Sequence, residues 1–296
     1  MSPSKMAVPA AFAVIYLVWG GTYLAIALAL HSIPPFLLMG SRSVVGGGLL
    51  LTTAWFGSRT VDAGTWVRAA ICGLLLFVGC HGILAYAQQR VSSGLAAVLL
   101  ATIPFWIALI GAVMPGGQRP RWKQLGLLAA GLAGVALVVM GRGNDTPGGT
   151  AYADIALLVA AAFSWAVGTA LSERWSPKDR EIAFSGIALL AGGATLALLS
   201  AWCGELSSFR VDHVAGVAIA AWIYLTLAGT ILAFAAYVWL LKQVAPALVA
   251  TYTFVNPLIA LLLGWAVLGE DVGITMALGA LLVIASVGGL LVTRQN

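Results

Sequence analysis

Charge-free apolar stretches of roughly 20 residues recur along the whole chain, separated by short polar or Gly/Pro breaks. A bilayer core about 30 Å thick is crossed by about 20 helical residues. Only helices and closed barrels satisfy every backbone polar group inside lipid. The pattern predicts ten transmembrane helices, over 8–30, 34–56, 66–88, 92–114, 122–141, 151–172, 182–203, 214–240, 245–267 and 272–292. Pro34-Pro35, Pro115-Gly116-Gly117, the stretch from Gly143 to Gly149, and Ser176-Pro177 punctuate them. Arg42 makes the second span the least apolar. The leading apolar run reaches Leu30, too long for a signal-peptide core of about 7–15 residues, so it reads as an uncleaved first span.

Composition agrees with this pattern. The 296 residues are 61% hydrophobic and only 8% charged, with a mean hydropathy of +1.00. Soluble domains carry about 25% charged residues, so most of this surface must face lipid. The net charge of +5 does not indicate nucleic-acid binding, because the basic residues stand singly in loops and form no stripe. Ten spans place both termini on one side. If that side is the cytoplasm, inner loops and tails hold Lys5, Arg59, Arg68, Arg119, Arg121, Lys123, Arg174, Lys178, Arg180, Lys242 and Arg294. Outer loops hold only Arg90, Arg142 and Arg210. This positive-inside bias predicts N-in, C-in topology in a bacterial inner membrane. Cys72, Cys80 and Cys203 lie in apolar runs without metal-binding spacing and read as small apolar fillers.

The chain also resembles itself. At an offset of 153, VSSGLAAVLLATIPFWIALIGAVMPG from Val91 falls on VAPALVATYTFVNPLIALLLGWAVLG from Val244. Pro104 then meets Pro257, Gly111 meets Gly264, Gly116 meets Gly269 and Gly126 meets Gly279. At an offset of 146, Trp19 meets Trp165 in the first span of each half. Coincident prolines and glycines are harder to obtain by chance than coincident leucines. The expected organisation is therefore a five-helix repeat over 1–145 and a second over 146–296. Five is odd, so the second repeat enters the membrane inverted. Inverted repeats around a central cavity near the midplane are a recurring plan of secondary transporters.

Particular segments carry a family resemblance: VWGGTYLAI (Val18 to Ile26), PPFLLMGSR ending at Arg42, and AYAQQRVSSGLAAVLLATIPFW (Ala85 to Trp106) in the first half; SWAVGTAL (Ser164 to Leu171), LKQVAPALVATYTFVNPLIALLLGWAVLGE (Leu241 to Glu270) and a Gly-rich last span in the second. In order, spacing and duplication they resemble the EamA-type transporters of the drug/metabolite transporter superfamily. The resemblance implies ten helices and export of metabolites, amino acids or toxic compounds. The chain departs from that pattern after the fourth span, where Pro115-Gly116-Gly117-Gln118 replaces an LGE-like motif.

Counting about 1.5 Å per residue from span ends puts Trp19, Trp165, Thr102, Pro104, Asn256 and Pro257 near mid-membrane, with His81 somewhat outward. Polar groups at that depth face a neighbouring helix or a wet cavity. His81 is the one ionisable group near the centre. It reads either as a neutral imidazole bonded to a neighbouring helix or as a group that contacts substrate or carries a proton. Trp19 and Trp165 read either as packing or as paired walls for a flat or apolar substrate, with cation–π attraction for an amine. Tyr86, Trp106, Tyr237 and Tyr252 extend the aromatic lining, with interface anchoring the alternative for Tyr86. Pro104 and Pro257 read as matched hinges or as static kinks. Glycines such as Gly46 to Gly48, Gly126, Gly131, Gly134, Gly279, Gly288 and Gly289 read as close-packing positions. Arg42 is expected to snorkel outward or to pair with an outer acid, Asp154, Glu270 or Asp271.

Other classes lack their signatures. There is no HExxH, no GxSxG, no paired aspartates within a span and no P-loop, so no enzyme activity, metal, cofactor or ATP dependence is expected. The expected function is secondary transport of small organic metabolites, amino acids or other amphipathic and aromatic compounds, either facilitative or proton-linked. Broad drug efflux, a membrane scaffold and an intramembrane enzyme are the alternatives. The expected partners are a small-molecule substrate and the bilayer; nothing in the pattern fixes an oligomeric state.

Overall fold

A computed structural model describes residues 6–55, 61–113, 121–141, 152–177, 180–241, 243–244, 249 and 252–293. Among the described residues the secondary structure is helical, without strands. The chain is an all-α membrane protein. Its first three spans are α1 (Ala7–Leu30), α2 (Pro35–Trp55) and α3 (Ala63–Gly73, Leu74–Gly82 and Ile83–Ala87 in continuation). Next come α4 (Ser93–Leu100 and Ile103–Val113), α5 (Trp122–Met140), α6 (Tyr152–Trp175) and α7 (Glu181–Trp202). The chain closes with α8 (Gly216–Ile223, Tyr224–Leu232 and Ala233–Leu241), α9 (Tyr252–Leu263 and Gly264–Leu268) and α10 (Ile274–Thr293). Eight are long and apolar enough to cross a membrane over their described residues; α9 and α10 supply shorter apolar stretches, Val255–Leu268 and Ile274–Gly289. The expected start of the ninth span, 245–251, lies almost wholly outside the described residues.

Local chemistry sets the helix starts. Pro35 opens α2, where a missing N–H costs nothing. Asp62 caps α3, accepting from the Thr65 amide at 2.9 Å and the Thr65 hydroxyl at 2.6 Å. These hydrogen bonds, the hydroxyl one foremost, hold the Asp62 carboxyl below its ordinary pKa. Leu17, Leu132, Leu198 and Leu262 are 62–71% exposed within spans, as lipid-facing side chains are. Trp122 and Trp202, at the ends of α5 and α7, are 88% and 86% exposed, in the manner of interfacial anchors.

The helices form two compact units, each drawn from both halves of the sequence. One comprises residues 1–24, 90–159 and 231–296, the other 25–89 and 160–230. In the first, α10 lies along α5 at glycine contacts. A Cβ on Gly134 would stand 2.9 Å from the Gly279 carbonyl, and one on Gly279 would stand 2.6 Å from the Val138 amide. Without a hydrophobic force between helices in lipid, such backbone approach supplies much of the packing energy. Gly131 makes room for the Phe105 ring, while a Cβ on Gly126 would meet nothing within 4 Å among the described residues.

In the second unit α7 packs along α2 and α3. Gly193 faces the Val44 amide, Gly47 the Leu190 amide and Gly73 the Ala188 backbone. Below this seam Ala69, Cys72, Phe184 and Ile187 form a buried apolar cluster. Gly46 receives the Thr230 methyl; a Cβ on Gly48 would meet nothing within 4 Å among the described residues.

Both units contain one device that the sequence reading missed. Gly269 adopts φ +67° after α9 and turns the chain so that Glu270 reaches α4. The Glu270 carboxylate accepts from the Ser93 amide at 2.6 Å and the Gly94 amide at 3.1 Å. Likewise Gly204, at φ +78° after α7, precedes Glu205, which accepts from Phe36 at 3.3 Å and Leu37 at 2.9 Å at the start of α2. A carboxylate on the positive end of a helix satisfies amides that have no partner within it.

Candidate functional site

In the second unit the site begins with an irregular turn. Residues Leu74–Gly82 of α3 are π-helical, a geometry that widens the turn and is frequent at functional sites. The Leu75 carbonyl there accepts from the Ser164 hydroxyl of α6 at 2.8 Å. Gly79 permits this approach, because a Cβ at that position would collide with the Ser164 oxygen. Docking Ser164 sets the next residue, Trp165, against His81, with ring centroids 5.0 Å apart and planes 32° apart. Phe77 meets the same imidazole edge-to-face at 5.4 Å. The His81 Nδ1 is buried and has no hydrogen-bond partner among the described residues. A buried polar atom left unpaired costs about 1–3 kcal/mol, which a ligand atom or water can recover.

The matching stretch of α8, Tyr224–Leu232, is π-helical as well. Leu225 stands 150 residues after Leu75, and its carbonyl accepts from the Thr230 hydroxyl at 3.0 Å. Thr230 Oγ1 in turn accepts from Arg42 Nε at 3.3 Å. The one other hydrogen bond of Arg42 among the described residues is a weak one, from Nη1 to Met39 Sδ at 3.7 Å. Arg42 is only 7% exposed, so it does not snorkel outward. Nor does it pair with the acids expected for it. Asp154 is taken by Arg90, through contacts of 2.7, 3.0 and 3.2 Å; Glu270 caps α4; Asp271 is exposed. Arginines within spans are rare and almost always face the bundle interior, as the buried Arg42 does here. The neighbouring Ser41 hydroxyl accepts from Trp222 Nε1 at 2.9 Å, tying α2 to α8 beside Arg42.

In the first unit Trp19, Tyr237 and Tyr252 form one aromatic cluster. Trp19 meets Tyr252 edge-to-face at 4.7 Å and Tyr237 at 5.5 Å, and the two tyrosines lie 6.1 Å apart. Ile15, Leu240 and Val249 are the buried apolar residues beneath it. Gly20 lets α1 lie against Ile259 of α9. Asn256 carries a buried Oδ1 without a hydrogen-bond partner among the described residues. Trp106 lies on α4 and is partly buried. Tyr86, in the second unit, stacks on Phe36 at 6.0 Å with planes 3° apart and is 39% exposed. Trp19 and Trp165 thus sit in different compact units, each with its own aromatic neighbours.

The two prolines occupy different backbones. Before Pro104 the α4 helix breaks at Ala101-Thr102, where the Phe105 amide turns to the Thr102 carbonyl at 2.9 Å and the Thr102 hydroxyl to Leu99 at 2.7 Å. Pro257 lies inside the continuous helix Tyr252–Leu263. A missing N–H has interrupted one span and left the other unbroken.

The EamA-like transporter family matches this sequence twice, over residues 7–140 and 153–292. The chain belongs to that family. Each match takes in five of the ten helices, α1–α5 and then α6–α10. Relatives extend the comparison. The "uncharacterized inner membrane transporter YedA" of Escherichia coli strain K12 is 33% identical over 258 residues, 86% of this chain and 81% of that protein. The "uncharacterized transporter YoaV" of Bacillus subtilis strain 168 is 26% identical over 275 residues, 92% of each. A solved crystal structure covers 99% of both chains with a TM-score of 0.64 at 21% identity, a likeness of fold. Transport across a membrane is thus the function this family membership supports, in preference to an enzymatic one.

Two parts of the arrangement escaped the sequence reading. Arg42 with Thr230 joins residues 188 apart, with no local pattern to announce the pair. The two caps were more legible. Gly204-Glu205 and Gly269-Glu270 repeat one dipeptide just after a span in each case, a signal that a search for Gly-acid pairs at helix ends would find.

Proposed function

We propose that this protein carries small organic metabolites, amino acids or other amphipathic and aromatic compounds, across the inner membrane by alternating access. The observation that carries the proposal is the His81–Trp165 pair: an imidazole on the otherwise apolar π-helical stretch Leu74–Gly82, its buried Nδ1 without a hydrogen-bond partner among the described residues, held against the Trp165 indole of α6. The indole offers a flat apolar face and the imidazole a polar contact, the two features an amphipathic solute needs. The Trp19–Tyr237–Tyr252 cluster offers a second aromatic surface. Asn256, Trp106 and Tyr86 are further substrate-contact candidates, and Pro104 and Pro257 the candidate hinges. The inner-membrane location follows that of the relative YedA, named as an inner membrane transporter. The placement of eleven basic residues against three supports both termini in the cytoplasm. No nucleotide enters this scheme; transport follows the substrate gradient or a proton carried by His81.

The test is uptake of a radiolabelled panel into liposomes holding the purified protein: aromatic and aliphatic amino acids, nucleosides and a cationic drug, with and without a pH gradient. Saturable uptake of amino acids without a gradient identifies a facilitative carrier; uptake that requires the gradient identifies proton coupling. No uptake of any panel member, by protein shown to be folded, refutes the proposal for these substrates.

A further inference from the structure

The guanidinium of Arg42 is a permanent charge held inside a membrane-spanning unit with only neutral partners among the described residues. Its Nε bonds to Thr230 and its Nη1 to a thioether, and its Nη2 has no hydrogen bond among the described residues. A buried charge is ordinarily paired or bound to a metal. The carboxylates expected for it are engaged elsewhere or exposed, as described above. Thr230 does not neutralise the charge; its hydroxyl, anchored on the Leu225 carbonyl, fixes the direction in which the planar guanidinium points. The same compact unit carries a second buried polar atom without a hydrogen-bond partner among the described residues, His81 Nδ1. An acid group would supply the counter-charge that the guanidinium lacks among the described residues.

We propose that Arg42 is the anion-recognition group of this transporter, and that its substrates carry a carboxylate. The inference rests on the transport function proposed above and names the substrate class. A carboxylate takes two parallel hydrogen bonds from a guanidinium, a geometry that a lysine ammonium cannot reproduce. The apolar part of the solute then lies toward the Trp165 face. Amines without an acid group gain nothing from Arg42 and are repelled by it.

The experiment compares solutes that differ only at the acid group. Liposomes holding the full-length protein are offered phenylalanine, phenylalaninamide and phenethylamine, alongside other amino acids and their amides. Thermal stabilisation of the detergent-solubilised protein by each compound is measured in parallel. The expected result is saturable uptake and stabilisation by the acids, at least about tenfold above the amides, a difference of 1.4 kcal/mol. Arg42→Gln is expected to abolish the acid preference, and Arg42→Lys to keep part of it. Equal handling of acids and amides by the unaltered protein overturns the inference and leaves the transport proposal standing. So does an Arg42→Gln protein that retains the full preference. If Arg42→Gln does not fold, the comparison of acid and amide on the unaltered protein still decides. Folded protein that takes up neither acids nor amines overturns the transport proposal and the inference with it.

Discussion

Glu270 ties the end of α9 to the start of α4 through two short hydrogen bonds from the Ser93 and Gly94 amides. Ser93 is 1% exposed, so its amide has little water to turn to when the carboxylate is removed. Glu270→Gln keeps the size of the side chain and one acceptor oxygen, but sets an NH2 against the second amide. The loss is one hydrogen bond to a charged group, about 1.5–3 kcal/mol. Glu270→Ala removes both bonds, and with them the charge at the helix start, for about 3–5 kcal/mol in all. At about 2–4 °C per kcal/mol for a chain of this size, Tm falls by about 3–12 °C for the glutamine variant. The alanine variant falls further, by about 6–20 °C on the same scale. The assay is thermal unfolding in detergent, followed by the fluorescence of a thiol-reactive dye or by circular dichroism. Asp271→Asn, at the exposed neighbour, is the control and is expected to leave Tm unchanged. Glu205 caps α2 from beyond α7, and Glu205→Gln should repeat the effect in the second unit. Glu270→Ala and Glu205→Ala both melting within 1 °C of the parent, on that same scale of about 2–4 °C per kcal/mol, would refute the capping argument.

His81→Ala should fold, since a largely apolar neighbourhood closes around it, yet transport at least about tenfold more slowly than the parent; unchanged liposome uptake would remove His81 from the substrate path. Asp154→Asn breaks a bidentate pair in which Asp154 is buried but Arg90 is 35% exposed. Because Arg90 can be rehydrated, the cost falls below the about 3–5 kcal/mol of a fully buried pair, to about 1–2 kcal/mol, read as a Tm loss in the same melt. Asp62 has a folded pKa below its unfolded value, so its cap stabilises α3 above the unfolded value and that support is lost as pH falls below about 4. Asp62→Ala should therefore flatten the acid limb of the stability profile, and a profile identical to that of the parent would show that the cap does not contribute.

Spans, class and family were legible from the sequence because lipid imposes a length and an apolar composition that each segment satisfies alone. The expected 34–56 is the observed Pro35–Trp55, and 182–203 is Glu181–Trp202. Close-packing glycines were legible only as a class: Gly47, Gly134 and Gly279 touch neighbouring backbones, whereas Gly48 and Gly126 face no described residue within 4 Å. Which face of a helix meets another helix depends on its rotation about its own axis. In a chain apolar all round, little in the sequence marks that rotation.

The same physics divides the site. Sequence alone determined that His81, Trp165, Trp19 and Arg42 lie in membrane-spanning helices, since depth follows from counting along a span. Only the tertiary structure decided that His81 touches Trp165, that Trp19 joins Tyr237 and Tyr252, and that Arg42 turns to Thr230 and away from every acid proposed for it. Those choices depend on two π-helical stretches, Leu74–Gly82 and Tyr224–Leu232, whose widened turns shift the register of every side chain beyond them. A widened turn leaves carbonyls to be met by hydroxyls from elsewhere, Ser164 for Leu75 and Thr230 for Leu225. Ser164 lies 89 residues from the carbonyl it meets and on another helix, so packing selected that pairing and local pattern did not.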